Sequence, residues 1–144
     1  MTAEMNYETD FYLWTQQQAA LLRQGQWSQV DAANLAEEID SMGKSDRRAI
    51  WSHLINILLH LLKWQYQPDR RGNSSTESID NGREQLDWLI KDSPSLRPKL
   101  PQFVDDIYPR AQRKAAHETG LPLSTFPKQC PFTLDQITGE YWPD

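Results

Sequence analysis

Cysteine is nearly absent from this chain. Cys130 is the single one, so no internal disulfide can form, and that usage fits a reducing compartment. Long apolar runs are missing too. The longest, Leu54 to Leu62, is interrupted by Asn56 and His60 and falls far short of the ~20 residues that cross a bilayer. The opening MTAEMNYETD carries neither a basic n-region nor an apolar stretch, so no secretory signal is expected. Together these features point to the cytoplasm and away from a membrane. Signature motifs are lacking as well: G-x-x-x-x-G-K-[ST], G-x-G-x-x-G, H-E-x-x-H, C-x-x-C and G-x-S-x-G do not occur. Nothing therefore supplies a standard nucleotide cradle, zinc pair or nucleophile elbow, and no metal or cofactor is expected.

What is present suits one globular domain over residues 1–144. The chain has 144 residues, 38% of them hydrophobic and 24% charged, long enough to bury a core without staples. Six tryptophans, Trp14, Trp27, Trp51, Trp64, Trp88 and Trp142, argue for a packed interior. The net charge is −5 but unevenly spread. Eight acids face two bases, Arg23 and Lys44, between Met1 and Asp46. Five bases (Arg47, Arg48, Lys63, Arg70, Arg71) face one acid, Asp69, from Arg47 to Arg71. An acidic arm beside a basic central segment favours internal complementarity. A phosphate-binding or nucleic-acid-binding strip is the weaker alternative, since five cations are few.

Punctuation residues divide the chain into helices. Thr9 or Asp10 opens a first helix that runs to Gln24, with Gly25 as its stop. Ser28 to Asp31 opens a second, short helix to about Met42, closed by Gly43, with Leu35, Ile39 and Met42 as its inner stripe. Ser45 then caps the longest helix, Asp46 to Gln67, which Pro68 terminates. Its wide apolar arc of Ile50, Trp51, Leu54, Ile57, Leu58, Leu61 and Leu62 needs neighbours on several sides, with Leu54, Leu58 and Leu61 as core. The polar stretch Asp69 to Ser78 reads as an exposed connection before a fourth helix marked by Ile79, Leu86, Leu89 and Ile90. Eight of the nine prolines follow Ser93. A fifth helix restarts after Pro98 and Pro101 and ends at Gly120. An extended proline-rich segment then leads to a final turn at Thr133, whose spacing to Gln136 matches a capping box. The expected fold class is all-α, a four- to five-helix bundle with a proline-rich C-terminal wrap.

Several stretches are distinctive: Tyr7-Glu-Thr-Asp-Phe-Tyr-Leu-Trp14, Asn34 to Arg48 (NLAEEIDSMGKSDRR), Leu58 to Arg71 (LLHLLKWQYQPDRR), Ser93-Pro-Ser-Leu-Arg97, Glu118-Thr-Gly-Leu121 and Cys130 to Ile137 (CPFTLDQI). In this order, over essentially the whole chain, they resemble the domain-of-unknown-function family 29. The resemblance implies a small all-helical protein of a kind abundant in cyanobacteria. It implies no activity.

Candidate chemistry is sparse. His53 and His60 are seven residues apart, about 10.5 Å along a helix, too far to share one ion. Each suits a packed, hydrogen-bonded position beside the apolar arc. His117 suits the negative end of the fifth helix. Glu37 and Glu38 diverge by ~100°, so they cannot act as a catalytic pair; only Glu38 borders the inner stripe, where a carboxylate wants a cation. A helix reversal at Gly43–Lys44 sets Glu38 against Arg47 or Arg48. A wider polar site then gathers Glu38, Arg47, Arg48, His60, Arg70 and Arg71, although His60 lies well past the reversal. Trp64 and Tyr66 beside Lys63, Arg70 and Arg71 could stack bases, but they suit the core and a charged helix end better. Cys130 has no local base and reads as structural. These residues favour a small binding or protein-interaction module, with a protein partner or self-association. A metal- or phosphate-dependent enzyme at the polar site is the first alternative. A nucleic-acid-associated component, such as one partner of a toxin–antitoxin pair, is the second.

Overall fold

The computed structural model describes the backbone of residues 3–144 and the side chains of residues 6–144. Among the described residues no strand occurs, and the fold class is all-α. The chain divides into two compact units, Met1–Ser45 and Asp46–Asp144.

The first unit opens with a short helix not anticipated from sequence, α1 (Ala3–Thr9). Asp10 interrupts it and caps α2 (Phe11–Arg23), its carboxylate accepting from the Leu13 N–H at 3.1 Å. The chain leaves α2 through Gly25, whose φ of +71° is a conformation that a side chain would strain. After a 3-10 turn, Trp27–Gln29, the third helix begins at Ala32. The interior here is polar as well as aromatic: Trp14 and Gln18 are each 1% exposed and Asn6 is buried. Asn6 donates to Gln17 Oε1 at 2.8 Å, and Asp31 connects Trp14 and Gln18. Its carboxylate accepts from Trp14 Nε1 (3.1 Å), Asn34 Nδ2 (2.8 Å) and the Asn34 N–H (3.4 Å), while its own N–H donates to Gln18 Oε1 at 2.7 Å. The Asn34 side-chain bond leads these contacts in holding the Asp31 carboxyl below its usual range, against a smaller opposing effect of burial.

The third helix, α3, runs from Ala32 to Tyr66, 35 residues. This corrects two expectations. The chain does not reverse at Gly43–Lys44, and the segment from Asp46 is the later part of a longer helix. Glycine ends a helix by adopting a left-handed conformation, but only Gly25 and Gly120 have positive φ. Within the helix Gly43 costs about 1 kcal/mol relative to alanine, too little to forfeit the hydrogen-bond ladder on both sides. The expected inner stripe is also corrected: Ile39 and Met42 are 66% and 68% exposed.

In the second unit the later part of α3 meets α4 (Asn73–Asp92), α5 (Leu100–Thr119) and the short α6 (Leu134–Thr138) around one core. Leu54, Leu58 and Leu61 are fully buried, as their spacing requires. The polar stretch expected as a connection is largely helical, since α4 already begins at Asn73. Its inward positions there and in the next turns include Ser75, Gly82 and Arg83, so the apolar period is hidden from the sequence. Gly82 is needed for close approach: a Cβ on it would lie 2.8 Å from Ile57 Cγ1. A 3-10 stretch, Pro94–Lys99, leads into α5, which ends at Gly120 with φ of +73°. The capping box of Thr133 and Gln136 forms as its spacing indicates.

Two arginines fasten the C-terminal segment. Buried Arg83 donates to the carbonyls of Ile137 (3.0 Å), Gln136 (2.8 Å) and Tyr141 (2.7 Å) and lies over the Trp142 ring. Arg71 donates to the carbonyls of Trp64 (2.8 Å) and Asp144 (2.7 Å) and covers the Trp64 ring. Trp64 in turn donates to the Pro143 carbonyl at 3.0 Å. The tryptophans do not all serve the interior: Trp27 and Trp88 are 66% and 57% exposed.

The two mid-helix glycines are expected to respond oppositely to alanine. Nothing lies within 4 Å of a Cβ at position 43, so Gly43→Ala should add about 0.5–1 kcal/mol. Gly82→Ala must displace Ile57 and should lose about 1–3 kcal/mol. Urea unfolding monitored by circular dichroism checks both, and equal responses would contradict the crossing described.

Candidate functional site

The six residues singled out from the sequence fall into two settings. Glu38 belongs to the first unit and the other five to the second. The Glu38 carboxylate accepts a hydrogen bond from the Tyr7 hydroxyl. That bond is the main reason the phenol is pushed up to about 12, with smaller contributions from burial and from the charges of Glu38, Glu37 and Glu8. The route by which Glu38 was to meet Arg47 or Arg48 required the missing reversal. Arg47 instead lies over the Trp51 ring, 5.2 Å from its centroid. Arg48 is exposed and has no partner among the described residues.

Arg70 and Arg71 line one cavity, and His60 is linked to it only through Ser75. The His60 Nδ1 is 3.4 Å from the hydroxyl of buried Ser75. Ser75 helps to line a cavity of about 200 Å³ with Lys63, Trp64, Arg70, Arg71, Ser74 and Glu118. Arg71 is committed to the carbonyls named above and Lys63 lies 3.9 Å from Glu118. Arg70 is exposed, with no side-chain partner among the described residues. The cavity also receives the start of α4, whose N-cap is Gly72 and therefore offers no side-chain cap. Burial pushes the His60 imidazole below its usual value, nearby Lys63 adds to this, and Glu118 opposes it. Burial acts in the same direction on His53.

Sequence reasoning missed two features. The first is the stripe on α3 formed by Leu35, Ile39 and Met42, which was assigned to the interior. The second is a set of basic side chains on α5, Arg110, Arg113 and Lys114 with His117, beside Leu59 and Glu118. Their i, i+3, i+4, i+7 spacing was a usable signal for one helical face. The Cys130 thiol is half-buried, donates weakly to the Phe132 carbonyl at 3.5 Å, and is pushed up by burial. These are properties of an inert thiol. No three His, Cys, Asp or Glu side chains converge as metal ligands among the described residues. No helix there is long and apolar enough to cross a membrane.

Comparison with known families matches residues 6–143 to the one described as Domain of unknown function DUF29. The chain belongs to that family. No curated protein and no solved structure matches it. For this DUF29 member, then, any function has to be argued from the surfaces just described.

The half-buried imidazoles give a pH signature. Because their folded pKa lies below the unfolded value, their stabilisation is complete above about 6.5. It is lost as pH falls from there through the depressed folded value. His60→Gln should flatten the decline in melting temperature below pH 6.5 relative to wild type, leaving only the part due to His53 and the acids. An unchanged pH profile would mean that burial of His60 carries no protonation cost.

Proposed function

We propose that this chain is a small cytoplasmic protein-interaction module that binds through the uncovered apolar stripe of α3. The carrying observation is the exposure of Ile39 and Met42, 66% and 68%, near the middle of a helix. With half-buried Leu35 they share one face at i, i+4 and i+3 spacing. Single exposed apolar residues are ordinary, but two successive turns of a helix stripe are the pattern that another helix buries. A photo-crosslinking amino acid at position 42, activated in the native host, should yield adducts with a polypeptide. Adding Ile39→Asp should remove them. Absence of any polypeptide adduct would defeat this reading.

A second reading has its own observation in its favour. The cavity beside His60 gathers Lys63, Arg70 and Arg71 against the single acid Glu118. That excess of positive charge, with the uncapped start of α4, suits a small oxoanion such as phosphate. Inorganic phosphate should raise the melting temperature, and Arg70→Ala should weaken its binding by roughly tenfold or more, the loss of one charge-assisted hydrogen bond. No phosphate-dependent shift would remove this reading without touching the first.

A further inference from the structure

We propose that the groove between α3 and α5 beside Leu59 binds a small ligand with two or three linked phosphate groups. The groove lies within the second unit and is independent of both readings above.

Unpaired charge on one face of α5 carries the inference. Arg110, Arg113, Lys114 and His117 follow at i, i+3, i+4 and i+7, within an arc of about 100°. With buried Leu59 of α3 they line a groove of about 650 Å³, a volume that suits a small molecule. Arg110, Arg113 and Lys114 are exposed, and none has a hydrogen-bond, ion-pair or ring partner among the described residues. Other surface cations of this chain are treated differently. Lys44 and Lys91 each meet a carboxylate one turn earlier, at 3.0 Å. Arg110 has an acid at that same spacing, Asp106, but its carboxylate accepts from Gln102 Nε2 at 2.8 Å and forms no ion pair. Arg110 and Lys114 are moreover like charges four apart, which a helix disfavours. The helix dipole favours cations in the last turn. That accounts for His117 but not for arginines at 110 and 113 of a helix ending at Thr119.

The three cations select the ligand. Each guanidinium offers a planar fork to the paired oxygens of an oxoanion. Glu118 is the one acid of the lining, and Lys63 lies 3.9 Å from it. Their charges cancel, which leaves Arg110, Arg113 and Lys114 to be balanced. A single phosphate monoester carries about −1.5 to −2 at neutral pH, too little for all three. Arg110 and Lys114 also stand about 6 Å apart along the axis, so the ligand carries its charges in a row rather than at one centre. A long polyanion suits the groove less well. No aromatic side chain lines it for bases to stack on, and a chain of net charge −5 repels an extended phosphodiester beyond it.

Calorimetric titration of the full chain with inorganic tripolyphosphate tests this. Binding with a dissociation constant below about 100 μM is expected, weakening as salt is added. Arg113→Gln with Lys114→Gln should weaken it at least about tenfold with helix content unchanged by circular dichroism, whereas Arg70→Ala should leave it as it is. Amide shifts on titration should centre on residues 110–118. No binding at about 1 mM ligand, indifference to the double substitution, shifts centred elsewhere, or equally tight binding of citrate at the same residues would each overturn the proposal. A single-stranded oligonucleotide that binds more tightly than tripolyphosphate, and is lost in the double variant, would overturn it in favour of nucleic acid. Tripolyphosphate binding abolished by Arg70→Ala alone would place the anion beside His60, so that this site fails and the phosphate reading stands.

Discussion

A helical hydrogen-bond ladder that continues from Ala32 to Tyr66 constrains everything else in this chain. Its 35 residues contribute to both units, and each stretch is covered only where another element of that unit reaches. Near its start Asp31 and Asn34 fix it to Trp14 and Gln18. From Ile50 onward α4 and α5 enclose it. Between these stretches, over residues 41–48, every side chain is exposed. That interval contains Met42 and adjoins Ile39, the two exposed residues of the apolar stripe.

The two units are held by different physics. The second has a conventional apolar core, and its polar device is Arg83, a buried cation with no carboxylate partner among the described residues. Three main-chain carbonyls satisfy it, and burial lowers its pKa while Asp80 and Glu140 oppose that. Removing the guanidinium would orphan three carbonyls at once, whereas a surface cation could be removed at little cost. Among the described residues the first unit buries few large side chains, and its interior is built largely on polar contacts, with the Gln18 Nε2 buried without a partner. Asp31 alone satisfies an indole, a side-chain amide and a helix N-terminal N–H. Such an interior specifies one arrangement but contributes little hydrophobic free energy.

Much of this was legible in the sequence, and the exceptions have physical causes. Helix content, the buried Leu54–Leu58–Leu61 face, the stop at Gly120 and the capping box at Thr133 follow from local chemistry that tertiary structure does not override. Gly43 misled because its usefulness as a terminator depends on the sign of φ, which composition does not encode. Residues 73–78 misled because their helix turns Ser75 inward, and a serine on the buried face leaves no apolar period to read. The candidate site divided along the same lines. Arg70 and Arg71 line one cavity with Ser75, whose hydroxyl is 3.4 Å from His60 Nδ1, because the chain turns at Pro68 and Gly72 just beyond the end of α3. Glu38 was placed with arginines on the strength of a turn that does not form, and its actual partner, Tyr7, lies in a helix whose existence the sequence did not signal.

The charge distribution acquires a different meaning once α3 is continuous. An acidic N-terminal arm and a basic central segment first suggest that one neutralises the other inside a single molecule. The structure shows several of these charges taken up nearer by: Asp40 pairs with Lys44 at 3.0 Å, Glu38 accepts from the Tyr7 hydroxyl and Arg47 lies over the Trp51 ring. Each of these contacts lies within one unit, so a segment-wide imbalance of charge is met by local partners and does not require one whole segment to neutralise the other.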